Sequence, residues 1–315
     1  MRSIISKRCF CKAVFTTFYQ TEHSQTRGTM NPFLFPLWHF QLITESLPIS
    51  SSGHLRLLDL LWRAYSRWGS KKIVHSPLGV SQQEEHLMHL PTLCILILFL
   101  YTYTPLWTGK SLLSMELAWI FPLCITTGIT GLMYLSIKRT TLEKFPLYAG
   151  FFITGCTLLI LVYTSPGSSL SMGILQASIL GIAQTCTLLP GISRLAFTYT
   201  TGVLLSLNPR VSFLFSLSSE CLLIISALAK IALATHKKEK SLLRDLSHLD
   251  PILGMHLLLL LVTSYISYQV LVSVAQLCIA QKVFPFAVYM LILALVVLLL
   301  EKILIPLTYP LKDRI

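Results

Sequence analysis

The sequence predicts an all-α integral membrane protein with six transmembrane helices plus two re-entrant helical hairpins in an inverted-topology repeat. Three observations carry this prediction: the composition, the number of long apolar segments, and two polar clusters that interrupt apolar stretches. The 315 residues are 54% hydrophobic and 12% charged, with a mean hydropathy of +0.69. Because soluble domains average about 25% charged residues, this composition excludes an ordinary soluble protein.

Six apolar segments approach the length of about 20 residues that a bilayer crossing requires. They lie at about 87–104, 113–135, 146–164, 211–234, 252–273 and 284–305. Two further apolar stretches, about 36–62 and 173–207, carry polar residues at their centres. Each is interrupted by a proline, Pro48 in the first and Pro190 in the second. Since proline inside a helix removes a donor and clashes with the preceding turn, each stretch is predicted to form a re-entrant hairpin. An ordinary proline-kinked span is the alternative.

The order of these segments implies an internal repeat. Three crossings separate the two hairpins, so the second hairpin enters the membrane from the face opposite to the first. Such an inverted-topology repeat brings its broken helices together near the midplane. The repeats are predicted at about 36–164 and 173–305, inside one membrane domain over residues 30–315. Residues 1–29 form a basic N-terminal extension that is expected to be disordered or a start-site artefact.

Basic residues fall mainly on one side of this arrangement. Thirteen lie in segments assigned to one face and three in loops assigned to the other. The first group is Arg63, Arg67, Lys71, Lys72, Lys138, Arg139, Lys144, Lys237, Lys238, Lys240, Arg244, Lys312 and Arg314, and the second is Lys110, Arg210 and Lys282. By the positive-inside rule both termini are predicted to be cytoplasmic. The net charge of +12 therefore reflects topology, and we expect no nucleic-acid partner.

The first polar cluster runs from Gln41 to His54. Polar groups at membrane depth are costly unless they are paired or functional. After Pro48, the serines are predicted to cap a helix start, and a helix N-terminus favours phosphate. The candidate substrate-binding residues of this cluster are Gln41, Ser50, Ser52 and Gly53.

The second cluster, from Gln184 to Arg194, repeats part of this pattern. Gly191 allows a close backbone approach, and the planar fork of Arg194 matches phosphate oxygens. Two helix N-termini and one arginine would form an anion site inside a membrane protein, which points to a phosphorylated lipid as the substrate. The candidate substrate-binding residues here are Gln184, Gly191, Ser193 and Thr198.

Three residues are candidates for catalysis beside Arg194. Ser51 and His54 are three apart and share a helix face, and a hydroxyl beside an imidazole is a minimal activated nucleophile. Glu45 is predicted to orient His54, to hold a divalent cation or to transfer protons. Structural roles are the alternatives: a serine bonded to backbone, a packed His54, and an ion pair between Arg194 and Glu45.

These motifs resemble the undecaprenyl-diphosphate phosphatase family, also called the bacitracin-resistance protein family. The resemblance spans about residues 31–305. It rests on the motif from Gln41 to Glu45, the Leu-Pro-x-Ser-Ser-x-Gly-His run ending at His54, and the Pro-Gly-x-Ser-Arg motif from Pro190 to Arg194. The resemblance implies hydrolysis of undecaprenyl diphosphate to undecaprenyl phosphate, which recycles the lipid carrier of peptidoglycan synthesis and gives bacitracin resistance.

The resemblance also implies roles for individual residues. Ser51 is implied as the nucleophile, His54 as its base, Arg194 as the phosphate clamp, and Glu45 as a metal ligand or proton-transfer group. Mg²⁺ or Ca²⁺ is the implied cofactor. The implied location is the bacterial cytoplasmic (inner) membrane, with the site open to the outer face. The implied partners are membrane lipids, and the resemblance leaves open whether the protein forms a homo-oligomer.

The chain departs from the family pattern at several positions. Leu195, Ala196 and Phe197 follow Arg194, where the family usually has Ser-Gly-Ala. Gln41 supplies no charge, which weakens the case for a multi-carboxylate metal site. Glu220 lies inside a predicted span without a family counterpart and is predicted to be paired or to face the cavity.

Two other function classes share features with this sequence. A polyprenyl-phosphate transporter or flippase of the same architecture would need the anion site but not Ser51 beside His54. Lipid phosphatases of the acid-phosphatase type would need a histidine and an aspartate shortly after Arg194. The chain has neither there, so that alternative is excluded.

Overall fold

The computed structural model describes residues 34–69, 88–110, 112–137, 144–235 and 251–304. Within these ranges the regular elements are helices, followed at the end by a π-helical turn at Leu300–Leu304. The helices are α1 (Leu34–Glu45), α2 (Ser51–Gly69), α3 (Leu90–Thr108), α4 (Leu112–Ser136), α5 (Leu147–Tyr163), α6 (Ile174–Cys186), α7 (Arg194–Leu204), α8 (Pro209–Thr235), α9 (Pro251–Ile279) and α10 (Phe284–Leu299). The predicted all-α class is confirmed for this part of the chain, and the predicted extension at 1–29 lies outside the described residues.

In the described part of the chain, five helices are long and apolar enough to cross a membrane. These stretches are Leu90–Thr108, Ala118–Ser136, Pro209–Lys230, Gly254–Ile279 and Phe284–Lys302. Each coincides with one of the six predicted spans, so the chain is a multi-pass membrane protein. The remaining predicted span, 146–164, corresponds to α5, an apolar helix of 17 residues. At 1.5 Å per residue α5 is about 25 Å long, close to the thickness of a hydrocarbon core.

Both predicted helix breaks are present. α1 ends at Glu45 and α2 begins at Ser51, while α6 ends at Cys186 and α7 begins at Arg194. We refer to residues 46–50 as the first break and to residues 187–193 as the second break. α1, α6 and α7 have 12, 13 and 11 residues, each too short to span a bilayer alone. The re-entrant character of the two broken stretches stays a prediction.

The second break packs closely against the first turn of α2 and against α5, at positions where glycines have no side chains. A Cβ atom built on Gly53 would lie 2.8 Å from the Cα atom of Gly191. A Cβ atom on Gly150 of α5 would also lie 2.8 Å from that Cα and would overlap the carbonyl oxygen of Pro190. Gly191 has a φ of +86°, which side chains disfavour. Glycine is therefore required at this crossing for both space and backbone conformation.

A threonine of α5 fixes the second break from the side. Thr154 Oγ1 donates to the carbonyl oxygen of Gly191 and accepts from the amide of Ser193, both at 2.9 Å. Thr154 is fully buried. Backbone polar groups opened by a helix break must find partners inside the protein, and here one hydroxyl satisfies two of them.

Helices of the first half pack against helices of the second half. α5 lies along α10, and α3 lies along α8. On one flank, Thr130 of α4 donates to the carbonyl oxygen of Gly181 in α6 at 3.1 Å. On the other flank, Ser267 of α9 donates to the carbonyl oxygen of Leu42 in α1 at 2.7 Å. The helix that leads into each break thus docks on a long helix of the opposite half.

An aromatic cluster anchors α7 in the core. The ring of Phe213 in α8 lies 5.9 Å from Phe99 of α3 and 5.7 Å from Tyr199 of α7, measured between centroids. Tyr199 also donates its hydroxyl to the carbonyl oxygen of Cys278 at 2.8 Å. Because α7 begins at Arg194, these contacts fix the start of the helix that carries this cation.

The glycine crossing gives the first prediction. Gly150→Ala should destabilise the protein by about 2 kcal/mol or more, because an inserted methyl group forces the backbone of the second break away from α5. The measurement is the unfolding midpoint of the purified protein in detergent. Gly128→Ala in α4 is the control, since a Cβ atom there meets nothing within 4 Å. Equal midpoints for both variants would contradict the crossing.

Candidate active site

The two breaks line one pocket together with α8. Its lining residues are Glu45, Leu47, Ile49, Ser50, Ser51 and Ser52 from the first side, Thr187, Ile192, Ser193, Arg194 and Leu195 from the second, and Glu220 from α8. Residues about 140 positions apart in the sequence are therefore brought together, as the repeated pattern predicts. The polar lining groups comprise five hydroxyls, two carboxylates and one guanidinium.

A serine caps the helix that starts on the first side. Ser50 Oγ accepts from the amide of Gly53 at 3.1 Å and lies 3.4 Å from Ser52 Oγ. Ser51 is the first residue of α2 and is half-buried, and Ser52 is exposed. The predicted cap is confirmed, and it leaves Ser51 on the pocket wall beside the amides at the positive end of α2.

A second serine caps the helix that starts on the other side. Ser193 Oγ accepts from the amide of Ala196 at 3.3 Å, and α7 begins at Arg194. Thr198 lies one turn further along, where its hydroxyl donates to the carbonyl oxygen of Arg194 at 2.8 Å. Thr198, predicted to bind substrate, is thus engaged with its own helix and is absent from the pocket lining.

The carboxylate of Glu45 is held by three side chains. His89 Nδ1 lies 2.6 Å and Gln41 Nε2 lies 3.2 Å from Glu45 Oε1, and Thr92 donates to Oε2. The side chain of Glu45 is 3% exposed. His89 and Thr92, at the start of α3, were missed in the sequence. The signal for them was a histidine directly before an apolar span, with a threonine three residues later on the same face.

The predicted contact between Ser51 and His54 is wrong for this geometry. His54 Nε2 lies 2.8 Å from the hydroxyl of Tyr289 in α10, and Nδ1 contacts the carbonyl oxygen of Ser50. The imidazole also stacks on the ring of Tyr289 and packs against Phe151. Residue spacing alone placed Ser51 and His54 on one face, but both ring nitrogens have other partners from the tertiary packing.

Arg194 has Glu220 as its carboxylate partner. Arg194 Nη1 donates to Glu220 Oε1 at 3.1 Å, and the two side chains are 30% and 7% exposed. The alternative of an Arg194–Glu45 ion pair is therefore wrong: each carboxylate of the pocket has its own basic partner. Glu220 meets both parts of its prediction, since it is paired and lines the cavity.

The two glutamines occupy related local positions but have different surroundings. Thr44 donates to the carbonyl oxygen of Gln41 at 3.0 Å, and Thr187 donates to that of Gln184 at 2.7 Å. Gln184 Oε1 accepts from Thr130 of α4 at 3.2 Å. Gln184 therefore supports the packing of α6 on α4, whereas Gln41 contacts Glu45 and His89 behind the pocket wall.

The surroundings of Glu45 do not match a metal site formed by protein ligands alone. Among the described residues, no three His, Cys, Asp or Glu side chains come close enough together to hold a metal ion. Both oxygens of Glu45 already accept from His89 and Thr92. Binding of Mg²⁺ or Ca²⁺ at Glu45 stays a prediction, and none of the proposed reaction steps uses a metal ion.

Comparisons with known proteins place this chain in a family. The family model described as bacitracin resistance protein BacA matches residues 40–296. The chain is similar to an "Undecaprenyl-diphosphatase" of Bacteroides thetaiotaomicron, with 28% identity over 187 residues, 53% of this chain and 62% of that protein. The matched region thus spans less than two thirds of that relative.

Two further relatives carry the same name. An "Undecaprenyl-diphosphatase" of Staphylococcus saprophyticus is 26% identical over 275 residues, covering 82% of this chain and 90% of the relative. One of Methanosphaera stadtmanae is 31% identical over 195 residues, covering 56% and 69%. Since the family match covers most of the chain and runs through both helix breaks, this protein belongs to the bacitracin resistance protein BacA family.

Proposed function

We propose that this protein hydrolyses undecaprenyl diphosphate to undecaprenyl phosphate plus phosphate, recycling the lipid carrier of peptidoglycan synthesis and giving bacitracin resistance. The observation that carries the proposal is a single pocket between two capped helix N-termini, with Ser51 on one side and Arg194 on the other. Helix N-termini and arginine bind phosphate. The names of the relatives support this choice of substrate.

The reaction proceeds by phosphoryl transfer through Ser51. Its Oγ attacks the terminal phosphorus, the bond to the bridging oxygen breaks, and undecaprenyl phosphate leaves with that oxygen. Water then attacks the phosphoserine, which releases phosphate and restores the hydroxyl. In the transition state, charge on the phosphoryl oxygens is stabilised by Arg194 and by the amides that start α2 and α7.

Two groups are candidates to accept the proton of Ser51. Glu45 shares the pocket with Ser51, but both of its oxygens already accept from His89 and Thr92, and partners that stabilise a carboxylate make it a weaker base. His54, the base implied by the family resemblance, must first exchange its contact with Tyr289. Each group must therefore give up a present partner before it can accept the proton, and the proposal leaves the base open between Glu45 and His54.

A transporter or flippase is the second candidate and has less support. Such a carrier would use the anion site formed by Arg194 and the helix starts. It would have no use for Ser51 on the pocket wall.

The finer architecture of the proposal is an inverted repeat of residues 36–164 and 173–305 with two re-entrant hairpins. It is supported by the docking of α6 on α4 and of α1 on α9, and by the pairing of α5 with α10 and of α3 with α8. Exchanging the two halves converts the α6–α4 pair into the α1–α9 pair and maps each of the other two pairs onto itself. We further propose cytoplasmic termini and a site reached from the outer face of the bacterial inner membrane.

Accessibility tests this orientation. A cysteine introduced as Ser168→Cys, in the exposed segment after α5, should react with a membrane-impermeant maleimide added to intact cells. A cysteine placed between residues 236 and 250 should react only after the cells are opened. A background variant lacking the native cysteines is the control, and the reverse labelling pattern would contradict the orientation.

Replacement of the nucleophile tests the chemistry. Ser51→Ala should lower turnover on the order of 10²-fold or more, because no group remains to accept the phosphoryl unit. Binding of undecaprenyl methylenediphosphonate, which cannot be hydrolysed, should remain. Ser226→Ala is the matched control, since that hydroxyl is exposed and donates to its own helix. Near-normal turnover of Ser51→Ala would rule out the serine mechanism.

The shape of the cation is a separate prediction. Arg194→Lys should lower turnover on the order of 10²-fold or more, because an ammonium group cannot contact Glu220 and phosphate with a fixed planar fork. Arg210→Lys is the matched control, since Arg210 is exposed at the start of α8. Phosphate release from undecaprenyl diphosphate measures both, and an active Arg194→Lys variant would show that charge alone suffices.

A further inference from the structure

Glu220 is an acidic residue in the middle of a candidate membrane span. It lies in α8, within the apolar stretch Pro209–Lys230, and is 6% exposed. An ionisable group in such a position is costly unless it is paired or functional. Its carboxylate lies in the lining of the pocket that also holds Ser51 and Arg194, so Glu220 belongs to the pocket but has no part in the reaction derived so far.

The contact with Arg194 leaves most of the guanidinium available. A guanidinium carries five N–H donors, and Nη1 donates to Glu220 Oε1. The side chain of Arg194 is 30% exposed while that of Glu220 is 7% exposed. Glu220 therefore holds Arg194 from its buried side, and the partly exposed arginine retains donors for an anion in the pocket.

Neighbouring hydroxyls of α8 do not take over this role. Ser216 Oγ donates to the carbonyl oxygen of Ser212, and Ser219 Oγ donates to that of Ser216, both at 2.9 Å. These side chains satisfy the backbone of their own helix. The carboxylate of Glu220 accepts the hydrogen bond that Arg194 donates to α8.

A carboxylate at this place has two opposite effects on an anionic ligand. It fixes the orientation of the guanidinium through a charge-assisted hydrogen bond, which is stronger and more directional than a neutral one. It also offsets part of the positive charge and repels phosphate. The first effect favours the transition state and raises turnover, whereas the second weakens binding of the diphosphate and of the transition state alike, so it appears in the affinity.

We propose that Glu220 is a positioning residue for phosphoryl transfer: it fixes the guanidinium of Arg194 and weakens ground-state binding of the diphosphate. This inference rests on the proposed phosphatase function. A residue that serves only to neutralise a buried arginine would change the amount and stability of the folded protein. It would leave turnover and ligand affinity per folded molecule unchanged.

The test separates binding from turnover with Glu220→Gln, which keeps the size and one oxygen acceptor but removes the charge. Calorimetry with methylenediphosphonate, a soluble diphosphate that cannot be hydrolysed, gives Kd. Phosphate release from undecaprenyl diphosphate gives kcat and KM. Glu220→Gln should bind the diphosphonate about threefold or more tightly, because a like charge is removed, and should lose about tenfold in kcat, because Arg194 is held less firmly.

The control is Ser219→Ala, one residue away on α8, which should leave Kd and kcat within about twofold of the wild-type values since it removes no charge. For Glu220→Gln, unchanged values or weaker binding would each overturn the proposal. If that variant does not fold, Glu220→Asp carries the test. It retains the charge on a shorter side chain, so kcat should fall about fivefold or more with Kd within about twofold, and wild-type kcat would overturn the proposal.

Failure of the phosphatase function is recognised separately. If the wild-type protein binds the diphosphonate but releases no phosphate from the lipid, the proposed reaction is wrong. Comparing the Kd of the wild-type protein with that of Glu220→Gln still tests whether Glu220 weakens ground-state binding of the diphosphate. Tighter binding by Glu220→Gln supports competition between Glu220 and the anion, and unchanged binding overturns it.

Discussion

The rest of this structure depends on one constraint. Backbone amides and carbonyls that lose their helical partners at a break must find other hydrogen-bond partners inside apolar surroundings. Unpaired amides and carbonyls are expensive away from water, so a helix can be broken there only where protein groups replace the lost partners. Ser50 and Ser193 cap the two new helix starts, and Thr154 bridges the amide and carbonyl of the second break. The breaks that create the pocket are therefore stabilised by hydrogen bonds from side chains to the backbone.

The same breaks supply the electrostatics of the site. Each exposes a helix N-terminus, and the two meet closely because Gly53 and Gly191 have no side chains. Charged side chains are then arranged in two pairs, Glu45 with His89 and Arg194 with Glu220. Each pair reduces the cost of burying its members. The groups of the pocket that favour anions are the helix starts and the partly exposed Arg194.

The sequence predicts the helix breaks and their convergence well, because both follow from local rules. Proline interrupts a helix wherever it falls, and a repeat separated by three crossings must face its partner. Side-chain partners were predicted poorly because they come from distant elements. Residue spacing predicted that the imidazole of His54 lies beside Ser51, but it contacts Tyr289 of α10. The carboxylate of Glu45 contacts His89 at the start of α3. Neither contact has a signature within its own helix.

The central claim is that both breaks together bind one terminal phosphoryl group. The most direct measurement is an experimental structure of the protein with undecaprenyl methylenediphosphonate bound. The terminal phosphonate is expected between Ser51 and Arg194, within hydrogen-bond distance of the amides that start α2 and α7. A headgroup bound outside this pocket, or contacting only one of the two breaks, would contradict it.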